Sequence, residues 1–256
     1  MIAVISTIAA NTVRELIRSK LLYNMVIFAA LLIASSMFVA ELTIGQWDRI
    51  ILDQGLAALE IGGSLIAVLV GVNLIAGEVE RRTIFPTLAK PLTRTSFVLG
   101  RYLGLVAVLV GNVCLMLAVL ASVLKLAGYN LSFAAVAAVL LIAVELALLA
   151  AVAMLFSSFS TPMLASGFSL SFFLIGHLLG DLRTFADRST SETAKQVSAV
   201  FYRLLPDLEL LNLKSRAANG LEVDGRFVAA SAAYGLGYAA VLIVLGILIF
   251  SRRDLK

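Results

Sequence analysis

Residues 56–76 read LAALEIGGSLIAVLVGVNLIA, and the chain then turns polar at Gly77-Glu78-Val79-Glu80-Arg81-Arg82-Thr83. The first stretch is long enough to cross a bilayer as a helix, which takes ~20 apolar residues. The second, with two acids and two bases, is poor material for lipid and must sit in water or against protein. Further apolar runs lie on both sides of this junction. The 256 residues are 61% hydrophobic and 14% charged, with a mean hydropathy of +1.02. Soluble domains carry about 25% charged residues, so a soluble enzyme or binding module is excluded.

Six spans are predicted: Leu21–Ala40, Leu56–Ala76, Phe97–Val119, Leu131–Phe156, Met163–Gly180 and Phe227–Phe250. Only helices and closed barrels satisfy their backbone in lipid, and runs of this length select helices. The fold class is therefore an all-α integral membrane protein. With no internal repeat and no linker, residues 1–256 read as one domain. The fifth span is short and rich in Gly and Ser, so a tilted or half-buried helix is the alternative there.

The placement of Lys and Arg sets the orientation. With the N-terminus inside, Arg14, Arg18, Lys20, Arg81, Arg82, Lys90, Arg94, Arg101, Arg252, Arg253 and Lys256 all face the cytoplasm. The short outer loops then hold only Arg49 and Lys125. The last outer segment, residues 181–226, mixes seven bases with seven acids, and long segments translocate with less regard to charge. Both termini are thus expected in the cytoplasm. The inverted topology would leave two dense basic clusters outside. The net charge of +4 is modest and confined to these loops, and no nucleic-acid partner is implied.

In Met1–Lys20, Ile5, Ile8, Thr12, Leu16 and Ile17 share a helical face, with Arg14 and Arg18 toward the other. That suits a helix lying in the inner interface; a cytoplasmic extension of the first span is the alternative. Arg14, Arg18 and Lys20 precede an apolar run of spanning length with no small-residue cleavage pattern, so this is no secretory signal. In the 181–226 segment, Ser189 and Glu192 form a capping-box pattern. Val197, Val200, Phe201, Leu204 and Leu205 follow at helical spacing before Pro206. A second apolar stretch (Leu208, Leu210, Leu211, Leu213) closes at Asn219-Gly220. At roughly 45 residues the segment is too small to fold alone, and it is expected on the membrane surface or over the outer mouth of the bundle.

Motifs for membrane enzyme chemistry do not occur in the sequence. It contains no G-x-x-x-x-G-K-[ST] phosphate loop, no H-E-x-x-H and no G-x-S-x-G. Cys114 is alone, so neither a disulfide nor a cysteine metal site forms within the chain. His177 is also alone, which gives no multi-histidine metal site; it reads as a packing or capping residue, with a proton or substrate role as the alternative. The six methionines are scattered, which argues against a copper relay. No metal site is expected.

On charge pattern alone, residues 77–83 read as a solvated turn joining two spans. Gly77 can break the helix as it leaves the membrane, Glu78 and Glu80 then suit a first helical turn, and Pro86 and Pro91 limit its length. Pro91-Leu92-Thr93-Arg94 and Gly100-Arg101-Tyr102-Leu103-Gly104 follow. Over nearly its whole length the chain resembles ABC-2-type transporter permeases. The shared features are an N-terminal interfacial helix, six spans, a G-E-x-E-x-x-T loop followed by P-x-[ST]-R, a Phe156-Ser157-Ser158-Phe159 turn, and a basic tail at Arg252-Arg253-Asp254-Leu255.

The resemblance implies a membrane subunit, with export the family's tendency, working as a homodimer or paired with a similar permease in a bacterial cytoplasmic membrane. ATP and magnesium would be held by a separate ATP-binding subunit. Residues 77–94 would form a cytoplasmic coupling helix docking on that subunit, with Glu78, Glu80, Arg81, Arg82 and Thr83 making the contact. Many relatives have Gly at the position of Arg82 and Lys at that of Arg101. Arg82 could narrow which ATPase this subunit accepts.

Glu145, near the middle of the fourth span, is the intramembrane anomaly. A carboxylate there costs ~2.5–3.5 kcal/mol on insertion scales and should face a partner inside the bundle. Asn112, at similar depth in the third span, is the candidate partner. Glu145 reads either as a polar element of a transport route or as a protonated carboxyl locking two helices. Glu60 reads as interfacial. Two rival functions are an ATP-independent carrier using Glu145, which predicts repeat symmetry, and a non-transporting scaffold that uses the same loop.

Overall fold

The computed structural model describes residues 2–19, 23, 27, 30–36, 47–80, 93–188 and 205–252. Among these, every regular element is helical. In chain order they are α1 (Ile2–Ile17), α2 (Trp47–Val72), α3 (Arg94–Leu126), α4 (Phe133–Ser157), α5 (Pro162–Arg188), α6 (Lys214–Ala218) and α7 (Gly225–Arg252). Residues 30–36 are also helical, and a 3-10 turn covers Leu208–Leu211. Five helices among the described residues are long and apolar enough to cross a membrane: α2 with its extension to Glu80, α3, α4, Pro162–Gly180 of α5, and α7. The predicted first span lies largely outside the described residues, as do Arg81–Leu92 of the predicted coupling loop and the capping-box helix beginning at Ser189.

Local chemistry sets the helix ends. Thr93 caps α3 by accepting from the Ser96 amide at 3.2 Å, and Ser132 caps α4 by accepting from Ala135 at 3.1 Å. Pro162 opens α5, where its missing N–H is no loss. Beyond Leu126 the chain passes through Gly128 at φ 86°. The Gly128 amide donates to Lys125 and the Tyr129 amide to Leu124, which is the Schellman arrangement that ends a helix at a left-handed glycine.

Two helices overrun their predicted ends. α2 begins at Trp47 rather than Leu56 and, with its extension, runs 34 residues to Glu80, or about 51 Å against a hydrocarbon core of ~30 Å. α5 continues past Gly180 to Arg188. At the other end of α2, Gly77 does not break the helix. The backbone widens into a π turn over Asn73–Gly77 and stays right-handed through Glu78 to Glu80.

α4 is the axis of the bundle, in contact with α2, α3, α5 and α7. Apart from Glu145 it is apolar on all sides and mostly enclosed, with Phe133, Val136 and Leu140 near its start exposed, and its many alanines let neighbours approach closely. α3, α5 and α7 expose more large apolar side chains, among them Leu115, Leu174 and Val244, on faces suited to lipid or another membrane subunit.

α1 is a helix of its own, ended by a turn at Arg18 and a break at Ser19. It lies against the start of α3, where Gly100 and Gly104 leave room for it. A Cβ at Gly100 would stand 2.6 Å from Ile8 Cβ, and one at Gly104 2.8 Å from the Ala9 carbonyl oxygen. Thr12 and Leu16 are buried in this contact as their shared face predicts, whereas Ile17 is half exposed.

Candidate functional site

Polar side chains gather at two places in the bundle. The first is the end where α1, α2, α3 and α7 meet. Arg101, one helical turn after Phe97 at the start of α3, spreads its two terminal nitrogens between helices. Nη1 donates to Glu15 at 2.6 Å, and Nη2 donates to Glu78. The guanidinium also lies 5.6 Å from the centre of the Phe97 ring. Arg94, the basic residue of the Pro91-Leu92-Thr93-Arg94 motif, donates to the carbonyls of Phe250 and Ser251 at 3.0 and 3.1 Å. A cation there meets the last carbonyls of α7, where the helix dipole favours it. Phe97 and Phe250 stack beside it at 6.3 Å. Of the predicted docking residues, Glu78 is turned inward onto Arg101, and Glu80 is exposed at the end of the helix. Arg81, Arg82 and Thr83 lie outside the described residues.

The second place is about 27 Å along α2 from Glu78, at the 1.5 Å rise of a helix. Glu60 of α2, Glu145 of α4 and His177 of α5 meet there. His177 Nε2 lies 2.8 Å from Glu60 Oε1 and 3.6 Å from Glu145 Oε1. Glu60 is 3% exposed and Glu145 0%. Lys214, at the start of α6, forms an ion pair with Glu60 Oε2. Burial lowers the proton affinity of Lys214 from the ordinary lysine value, and Asp53 nearby works the other way. The 205–224 segment covers this end of the bundle: Leu208 packs on Gly176, and the Tyr234 hydroxyl accepts from the Asp207 amide at 2.9 Å.

Glu60 is buried and paired, on a helix that begins at Trp47, well before the predicted Leu56. His177 is partly buried, with α5 continuing beyond it. Asn112 is not the partner of Glu145: it lines an apolar cavity of about 320 Å³ with Val13, Ile17, Tyr23 and Leu115. Neither atom of its buried amide has a hydrogen-bond partner among the described residues. That ionisable groups in spans pair with one another is a general expectation; which of them meet depends on the packing of the helices.

A comparison with curated proteins finds no match. A family model described as ABC-2 family transporter protein matches residues 5–255. With several helices suited to crossing a membrane, the chain is a multi-pass membrane protein, and it belongs to the ABC-2 transporter family.

Proposed function

We propose that this chain is the membrane-spanning permease subunit of an ATP-driven exporter in a bacterial cytoplasmic membrane, with both termini inside. Separate subunits hold ATP and magnesium and dock on residues 77–94, with Glu80, Arg81, Arg82 and Thr83 facing the partner and Glu78 bracing the loop from behind. Two copies, or one copy and a similar permease, enclose the path. The observation that carries this reading is the ion-pair array of Glu15, Arg101 and Glu78. It joins the end of α2 to α1 and α3, so a push on the loop is passed to several helices as a rigid-body movement.

The test is co-expression with a candidate ATP-binding subunit from the same genome, purification by a tag on this chain, and measurement of co-purified ATPase. Stoichiometric ATPase that is lost on reversing the charges of Glu80 and Arg81 in a folded protein is the expected result. No ATPase with either well-folded protein overturns the reading and favours an ATP-independent carrier built on Glu145.

A further inference from the structure

His177 Nδ1 lies 3.2 Å from the Phe173 carbonyl oxygen. A carbonyl only accepts, so Nδ1 carries the proton and Nε2 of the neutral ring is left as a lone pair. The ring is held in place by Phe173, with centroids 4.7 Å apart. Nε2 therefore faces two carboxylates, within contact distance but with no hydrogen bond formed to either. Glu145 is wholly buried, and neither of its oxygens has a hydrogen-bond partner among the described residues. Lone pairs that face one another out of water need a proton or a cation between them. Lys214 places its ammonium on the far oxygen of Glu60.

We propose that Glu60, Glu145 and His177 form a binding site for a first-row divalent cation of the zinc or manganese class, held between α2, α4 and α5. Their candidate ligand atoms all lie within 4.8 Å of one another. Bonds of about 2.0–2.2 Å in a four-coordinate site put ligand atoms about 3.4 Å apart. The 3.6 Å separation of His177 and Glu145 fits this, and the 2.8 Å contact with Glu60 must open by about 0.6 Å. One imidazole and two carboxylates suit these ions better than copper(I), which prefers sulfur, or calcium, which prefers oxygen alone. The Phe173 carbonyl fixes the ring from behind, as outer partners of metal-binding histidines do. A proton on Nε2 would still leave Glu145 buried without a hydrogen bond, whereas a cation gives all three groups a partner. The site does not depend on how the chain is coupled to ATP.

The experiment uses full-length protein in detergent, its affinity tag removed, treated with chelator and titrated with Co²⁺ as a spectroscopic probe. We expect visible d–d absorption saturating at one ion per chain and displaced by Zn²⁺. Glu145→Gln and His177→Ala should each weaken binding at least a hundredfold, because loss of outer-shell partners alone costs about 10–100-fold. Circular dichroism and gel filtration check their folds. Absence of a Co²⁺ band in the wild-type protein, leaving only protons at the cluster, overturns the proposal. So does undiminished binding by the two variants.

Discussion

The Arg101 guanidinium and the Glu78 carboxylate form an ion pair between the start of α3 and the polar end of α2. Their side chains are 12% and 16% exposed, so most of the pair is out of water. Removing one member of a fully buried pair costs about 3–5 kcal/mol, and partial exposure reduces that to about 1–3 kcal/mol here. Arg101→Ala should lower Tm in detergent by several degrees. Arg101→Lys should fall between, because an ammonium lacks the fork that reaches Glu15 and Glu78 together. An unchanged Tm in Arg101→Ala would show that the pair holds nothing together.

Gly104 meets α1 so closely that any side chain must displace it. Gly104→Val should detach α1, at a cost of roughly 1–3 kcal/mol for overpacking, while Gly111→Ala, with nothing within 4 Å of its Cβ, should be neutral. Disulfide trapping between cysteines placed on α1 and α3 measures the contact. Equal trapping in both variants would contradict the packing described.

The apolar runs were legible because a helix in lipid needs little more than length and hydrophobicity, and the face of α1 was legible from its period. The true start of α2 was not. Asp48, Arg49, Asp53 and Gln54 look like loop, yet they are helical, and Arg49, Asp53 and Gln54 line a cleft with Ser215 and Asn219. Reading them as loop puts Glu60 at a membrane edge. The meeting of Glu60, Glu145 and His177 depends on how three separate helices pack, which no local pattern encodes.

Lys214 and Glu60 should show strong coupling. Lys214→Met leaves the buried Glu60 carboxylate short of its partner and, with Lys214 itself 20% exposed, should destabilise by about 1–3 kcal/mol. Adding Glu60→Gln removes the stranded charge and should recover more than half of that. Thermal unfolding of both single variants and the double, all in chelator, gives the cycle. Additive losses would mean that the two groups do not act on each other.

Arg94 makes a prediction about the far end of the chain. Its guanidinium bonds the carbonyls of Phe250 and Ser251, in the last described turn of α7. Hydrogen bonds from a charged donor are worth about 1.5–3 kcal/mol, so Arg94→Ala should fray the last turn of α7 while leaving its middle intact. Hydrogen exchange should quicken over residues 247–252 and stay unchanged around Gly235, where α7 packs against Val144 of α4. Because Arg94 is the last residue of the loop proposed to dock on the ATPase, the same variant should also weaken ATPase co-purification. Faster exchange along the whole of α7 would instead mean that Arg94 supports the entire bundle rather than one helix end.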